Sequence, residues 1–407
     1  VTLTATINDQ GNTGTDPGLS GTATTEQASA TVTLAVTGVN DAPSGANATL
    51  TINEDTVHTF TAANFGFTDS ADTPSNSLSA IIITALPSSG TLLLSGSPVI
   101  AGQVILAANI GNLTWTPGAD ANGTGLASFT FRVRDDGGTA NGGVDTSVAV
   151  NTITFNVTAV NDAPVNTAPA GGWTTNEDTS VGLTGLSVGD VDAASGAITV
   201  TLNVGSGTLA GLSAGGVTVT GSGTGTLVLS GTVANLNTYL GATAPQYTPV
   251  GNANGSVTLT MTTNDGGNTG IDPGLTGTAT SEADSDTRTI TITAVNDTPS
   301  LTAPASIAVT EDVAAVIGGI SFADVDAGTS SVTVTLSVAS GTLAAASGGS
   351  VTVVGSGTGT LVLTGTISNI NSFIVANNVT FTTALNAASN VTLTATINDQ
   401  GNTGTDP

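Results

Sequence analysis

Short runs in which every second residue is apolar recur along the whole 407-residue chain. They include TVTLAVTGV at 31–39, SFTFRVRD at 128–135, TITFNVTAV at 152–160, TITITAV at 289–295 and SVTVTLSV at 331–338. A period of two sends successive side chains to opposite faces of an extended backbone, and the β-branched residues that dominate these runs suit a pleated surface. Gly, Pro and Asn-Asp clusters punctuate them. The pattern predicts an all-β chain of antiparallel strands, each with one buried face. Two stretches break the period. VANLNTYL at 233–240 and ISNINSFI at 367–374 place apolar residues three and four apart, which predicts one short helical turn joining strands at two corresponding places.

The strands belong to a larger repeat. Residues 1–17 and 391–407 are the same seventeen, VTLTATINDQGNTGTDP, an offset of 390. Inside that period Val-Asn-Asp-x-Pro occurs at 39–43, 160–164 and 295–299, so the period holds three domains, each of the usual size for one hydrophobic core. The expected boundaries are 1–40 for the C-terminal part of a truncated β-sandwich repeat, 41–162 and 163–297 for two whole domains, and 298–407 for a domain lacking its last strand. Strand donation between neighbouring chains is one reading of these ends. The overlap counts against it, because residues 391–407 and the next chain's 1–17 would compete for one place; a window cut from a longer continuous chain is the preferred expectation. In each domain an aromatic residue, Trp115, Tyr247 or Phe381, precedes the penultimate strand and is expected in the core.

Composition narrows the function. At 39 % apolar residues each domain can bury a core, and there is no cysteine to staple one. Asp and Glu total 29 against three arginines, Arg132, Arg134 and Arg288, with no lysine, for a net charge of −26. That charge excludes nucleic acid as a partner, disfavours anionic membrane surfaces and favours cations. No apolar run approaches the length of a membrane span, so no membrane insertion is expected of this region.

The carboxylates are ordered. A Glu-Asp pair opens each domain (Glu54-Asp55, Glu177-Asp178, Glu311-Asp312), and a loop pair follows (Asp69 and Asp72, Asp190 and Asp192, Asp324 and Asp326). An Asp ends the penultimate strand (Asp135, Asp265, Asp399), and Asn-Asp marks each exit (Asn40-Asp41, Asn161-Asp162, Asn296-Asp297). Asp and Asn cap turns, but turn capping does not explain an acid at four corresponding places per domain. Hard divalent cations would, since Ca2+ takes six to eight oxygen ligands.

With VNDAP repeated at domain spacing, the chain resembles the cadherin-like tandem repeats of large bacterial surface adhesins. VTLTATINDQG…ATVTLAVTGVNDAP is similar to the last two strands and linker of such a repeat, and GDVDAASGAITVTL to its Asp-x-Asp loop and following strand. The resemblance implies tandem Greek-key β-sandwiches in a linear rod, with calcium held between consecutive domains. Carried over by position, the first junction would draw on Glu54, Asn161, Asp162, Asp190, Asp192 and Asp265. The second would draw on Glu177, Asn296, Asp297, Asp324, Asp326 and Asp399. Asn40, Asp41, Asp69, Asp72 and Asp135 hold the same positions around the first linker. The mid-domain Asp-Arg-Glu of cadherins has no clear match, which leaves the number of ions per junction open.

Other motifs fail on chemistry. The loop from Asp190 begins like an EF-hand but has Ala194 at its fifth position and Thr201 where a bidentate Glu is required. Gly221-x-Gly223-x-Gly225 leads into a strand and reads as a hairpin turn. His58 is the only histidine, which excludes a three-histidine zinc site. The expectation is a non-catalytic, extracellular, calcium-stiffened rod extending from a bacterial cell surface, whose partners are the neighbouring repeats of the same chain. A self-assembling filament built from copies of the chain and a carbohydrate-binding array are the alternatives.

Overall fold

The computed structural model describes residues 1–8, 27–267 and 282–401. They form two compact units, Val1–Val160 and Asn161–Pro407. In both, the alternating runs are strands and the fold is that of β-sandwiches.

In the first unit, one sheet has the order Ala48–Asn53, Asn151–Thr158, Gly123–Asp135, Leu78–Ala85, Val104–Leu106, in which Ala48–Asn53 runs parallel to its neighbour Asn151–Thr158 and the other neighbouring pairs are antiparallel. The facing sheet contains His58–Thr59, Leu113–Thr116, Thr91–Leu94 and Ser97–Pro98. Alternate residues of the long strands point between the sheets, where Phe60, Phe65, Ile81, Phe129, Phe131 and Phe155 are fully buried. Trp115 stacks on Phe155, ring centroids 3.7 Å apart. Near the start of the unit, Thr2–Asn8 pairs with Gln27–Thr33 as an antiparallel ladder. Its first strand is exposed throughout.

The sequence predicts a strand through TVTLAVTGV, but this one ends at Thr33. Leu34 and Val36 are 49 % and 78 % exposed. Counting back from the Val-Asn-Asp motifs, they correspond to Ile290 and Ile292 of the next repeat, which are buried on a core inside a strand that runs to Thr293. Without apolar surface beneath it, nothing offsets the entropy of extending the segment.

The second unit carries two apolar cores. Around the first, a six-stranded sheet runs Trp173–Asn176, Ala283–Thr293, Gly255–Asn264, Ile198–Val204, Thr226–Gly231, Thr218–Thr220, opposite a three-stranded sheet of Val181–Gly182, Gln246–Thr248 and Thr208–Ala210. Around the second, a four-stranded sheet runs Thr352–Val354, Thr360–Thr366, Ser331–Val338, Leu393–Asn398, opposite Ala315–Val316, Thr380–Thr382 and Thr342–Ala344. The two segments of helical period are helices, α1 (Val233–Ala242) and α2 (Ile367–Val375). Thr232 and Thr366 cap them by accepting the N–H of Asn235 and Asn369, which satisfies a donor the first turn leaves over. From α1, Asn237 exchanges two hydrogen bonds with the backbone of Val188, 2.8 and 2.9 Å; Asn371 of α2 does the same with Phe322.

Trp115, Tyr247 and Phe381 are buried, as expected of core aromatics. Beneath each ring passes a tight turn through Gly90, Gly207 or Gly341, with φ of +73°, +79° and +88°. A Cβ there would lie 2.7 Å from a ring atom, so both the left-handed backbone and the close approach require glycine.

Candidate functional site

The three Asn-Asp exits share one contact, the Asp N–H donating to the second Asp of the loop pair, and the first two share a second, from the Asn amide to the Asp at the end of the penultimate strand. At the first, Asn40 Nδ2 donates to Asp135 Oδ1 at 3.1 Å and to the Val144 carbonyl at 2.8 Å, while the Asp41 N–H donates to Asp72 Oδ2 at 3.0 Å. Asp69 Oδ2 accepts the Asn76 N–H at 2.7 Å, and Asn76 Nδ2 donates to Asn40 Oδ1. Burial pushes the Asp135 carboxyl up from its ordinary value, and the charges of Asp69 and Asp145 add to this; donors from Gly137 and Asn40 oppose it. At the second exit, Asn161 Nδ2 donates to Asp265 Oδ2 at 2.8 Å and the Asp162 N–H to Asp192 Oδ2 at 2.5 Å. At the third, the Asp297 N–H donates to Asp326 Oδ2 at 2.5 Å.

The Asp-x-Asp loops are built alike. Asp190 Oδ1 accepts the N–H groups of Asp192 and Ala193, at 3.0 and 2.8 Å. Asp324 Oδ1 accepts those of Asp326 and Ala327, at 2.8 and 3.0 Å. One oxygen of the first Asp thereby closes the turn and its other oxygen is left over. The Asp that ends each penultimate strand closes its own turn too, with Oδ1 accepting from Gly137, Gly267 or Gly401 two residues on.

Glu54 and Glu177, 1 % and 3 % exposed, each reach the linker that leaves their domain: Glu54 Oε1 accepts the Val160 N–H at 2.6 Å and Glu177 Oε1 the Val295 N–H at 2.7 Å. Glu54 Oε2 also accepts from Asn122 Nδ2 at 2.9 Å. The third counterpart, Glu311, is exposed.

Of the residues expected at the second junction, the second unit gathers Glu177, Asp297, Asp324 and Asp326 around one linker, and it adds Asp178, which the sequence marks as part of a Glu-Asp pair but not as a junction residue, and Asn252, which the sequence reading passes over. The Asn252 N–H donates to Asp178 Oδ1 at 2.9 Å. With its amide oriented to satisfy the hydrogen bonds, Asn252 Nδ2 lies 3.0 Å from both Asp178 Oδ2 and Asp297 Oδ2. A signal for this loop is present in the sequence. Asp120, Asn252 and Asn386 each follow the core aromatic by five residues, and all three take a left-handed backbone, φ +54°, +56° and +55°. In the third repeat the Asn386 N–H donates to Asp312 Oδ1 at 3.1 Å, the counterpart of the Asp178 contact.

The site is rich in acceptors and short of donors. Partial desolvation, followed by the like charges of Asp326, Asp178 and Asp324, pushes the Asp297 carboxyl above its ordinary value. Glu177 Oε2, Asn296 Oδ1, Asp324 Oδ2 and Asp399 Oδ2 are buried with no hydrogen-bond partner. Arg134 and Arg288 are engaged with Asp145 and Asp286. An unpaired buried carboxylate oxygen is costly unless a cation or donor meets it. All four orphaned atoms are oxygens, the donor type that a hard divalent ion takes, so the residues present fit calcium.

Tandem β-sandwiches joined by acidic Asn-Asp linkers are the class that fold and site define. Residues 40–147 match a family model described as Bacterial Ig domain. Similar solved structures include protocadherin gamma B2 extracellular cadherin domains 1–5, with 15 % identity over 91 % of this chain and 62 % of that one, TM-score 0.40. The protocadherin gamma B4 extracellular domain shows 17 % identity over 83 % of this chain and 46 % of that one, TM-score 0.36. Mouse cadherin-23 EC22–24 shows 18 % identity over 81 % and 89 %, TM-score 0.35. The chain thus spans less than two thirds of the first two. No curated protein matches the sequence.

Proposed function

We propose that this chain is a non-catalytic, extracellular repeat region in which calcium at the acidic linkers stiffens the connection between successive sandwiches, extending a rod from a bacterial cell surface. The observation that carries the reading is the linker at Asn296-Asp297, where Glu177, Asp178, Asp297, Asp324 and Asp326 converge and buried carboxylate oxygens have no donor. Glu177 and Asp178 would hold the ion from one sandwich, Asp297 from the linker, and Asp324 and Asp326 from the next sandwich. Bound calcium would supply the positive charge that lets these groups sit together. Without it their mutual repulsion favours splayed arrangements, and domain contacts of ordinary size do not resist motion. The match to a bacterial Ig domain at 40–147 supports the bacterial, surface-exposed setting.

Two features speak against a sugar-binding array and against catalysis. The large aromatics that could stack on a sugar, Trp115, Tyr247 and Phe381, are buried in the cores. His58 is packed edge-on against Phe60, centroids 4.9 Å apart, and burial lowers its pKa.

Thermal unfolding of the chain in EDTA and in millimolar calcium tests the reading, paired with small-angle scattering of wild type and Asp326→Ala. A higher midpoint and a longer, narrower distribution of dimensions with calcium are expected, the extension being reduced in the variant. Equal midpoints with and without calcium would sink it.

A further inference from the structure

We infer that two copies of the chain pair edge to edge through the first unit, the strand Val104–Leu106 of one copy running antiparallel to the same strand of the other. The pairing does not depend on calcium.

Val104–Leu106 pairs with Leu78–Ala85 on one side and is the sheet edge on the other. The other two repeats show what belongs beyond this position. Ile105 is opposite Ile81, itself opposite Val133, two residues before Asp135; Leu229 is opposite Val200, itself opposite Thr263, two residues before Asp265. Ile105 and Leu229 are therefore counterparts. Outside Leu229 runs a further strand, Thr218–Thr220, with Val219 opposite it, and in the third repeat Thr352–Val354 covers Thr360–Thr366 in the same way. The first repeat crosses this region in a shorter connection, residues 95–103 against 211–225 and 345–359, whose only strand residues, Ser97–Pro98, join the facing sheet. The edge that the other repeats cover is left open.

The Gln103 carbonyl accepts the Ile83 N–H inside the sheet, so by alternation Val104 and Leu106 turn their own N–H and C=O groups to the open edge. Their side chains are 43 % and 57 % exposed, and Ile100, in the turn that leads into the strand, is 66 % exposed. Open edge strands are normally guarded by charge or proline, but no charged residue lies between Asp72 and Asp120, and Val104–Leu106 has no proline. The occupant follows from charge and from symmetry. Copies of a chain with net charge −26 repel wherever their acids meet, and this edge carries none. About a dyad at Ile105, Val104 faces Leu106 of the second copy and Leu106 faces its Val104. Each of these pairs exchanges both ladder hydrogen bonds and covers one exposed apolar side chain with another. The contact is isologous and closes at two copies. A ladder this short falls at the weak end of interface sizes, below roughly 1,200 Å2, so the pairing is concentration-dependent.

The chain has no cysteine, so introduced thiols report the register. Full-length Val104→Cys and a size-tagged Leu106→Cys are mixed and oxidised. Facing residues of an antiparallel pair lie about 5.5 Å apart at Cα, within disulfide reach, whereas 104 to 104 and 106 to 106 are diagonal, roughly 7–8 Å apart. A tagged-to-untagged disulfide dimer is therefore expected in excess of either homodimer. Sedimentation of the unmodified chain, in EDTA as in calcium, should show a monomer that converts to dimer with concentration. Dimer should be lost in the double variant Val104→Lys, Leu106→Lys and kept in the control Leu212→Lys, Val375→Lys; all four side chains are exposed, and equal melting midpoints verify that each variant folds. A chain that sediments as monomer at every concentration, a mixed disulfide no more abundant than the homodimers, or a dimer that the two edge lysines leave intact or that the control weakens equally overturns the inference.

Discussion

Replacing Glu177 by glutamine should have opposite consequences with and without calcium. The side chain is 3 % exposed; one oxygen accepts the Val295 N–H at 2.7 Å and the other has no partner. Glutamine keeps the shape and can still accept from Val295. The change from a charge-assisted to a neutral hydrogen bond costs about 0.5–2 kcal/mol. Against this, removing a buried carboxylate that lacks a counter-ion recovers a desolvation penalty of roughly several kcal/mol. In EDTA the variant should therefore melt at or above wild type. With calcium the balance reverses, because the amide turns a donor toward the ion. Binding at a hundredfold excess over Kd stabilises the native state by about 2.7 kcal/mol. At roughly 2–4 °C per kcal/mol for a unit of this size, that is a calcium shift of about 5–11 °C in wild type. Glu177→Gln should lose most of it. Scanning calorimetry of both proteins in EDTA and in calcium gives the four midpoints. A variant that keeps the full calcium shift, or that is destabilised equally in both conditions, refutes the argument that Glu177 is an ion ligand held in a donor-poor site.

Two further outcomes follow from the same chemistry and from the sheets. The raised Asp297 carboxyl favours the proton in the folded state, so its contribution to stability is fully present below its ordinary pKa and is lost as pH rises through the raised value. At pH 7 in EDTA, Asp297→Asn should accordingly raise the unfolding midpoint, and in calcium lower it; a variant that melts below wild type in EDTA contradicts this. Trypsin should leave the chain largely intact even in chelator, because Arg132, Arg134 and Arg288 all lie within paired strands. Rapid cleavage at Arg132, read by mass spectrometry, would mean that the Gly123–Asp135 strand is not protected.

The parts of the fold that burial dictates were legible from residue order. Period-two runs became strands because one face of each had a core to enter, and the three-and-four spacing of Leu236, Tyr239 and Leu240 became the buried face of α1. Where burial is missing the reading overshot, as at Leu34 and Val36, whose alternation continues past the end of the strand. The acidic loops were legible as positions, since Asp-x-Asp and Asn-Asp act through local backbone turns. Asn252 was not. It lies in an irregular loop whose left-handed backbone has no hydrophobic period, and its link to Asp178 spans 74 residues. Only comparison among the three aromatic-to-Asn or aromatic-to-Asp spacings exposes it.

The turn beneath each core aromatic bears on how such a chain can change by duplication. Trp115, Tyr247 and Phe381 occupy one place with three different rings, so a copy can alter the ring and repack around it. Gly90, Gly207 and Gly341 are the same in all three, because any side chain there meets both the ring and a forbidden backbone angle. Copies of the unit are thus free to drift apart in the aromatic while the floor beneath it stays fixed. The serine-glycine-threonine-leucine stretch at 89–92, 206–209 and 340–343 is the mark by which further descendants of the same ancestral segment could be recognised after the rest of their sequence has diverged.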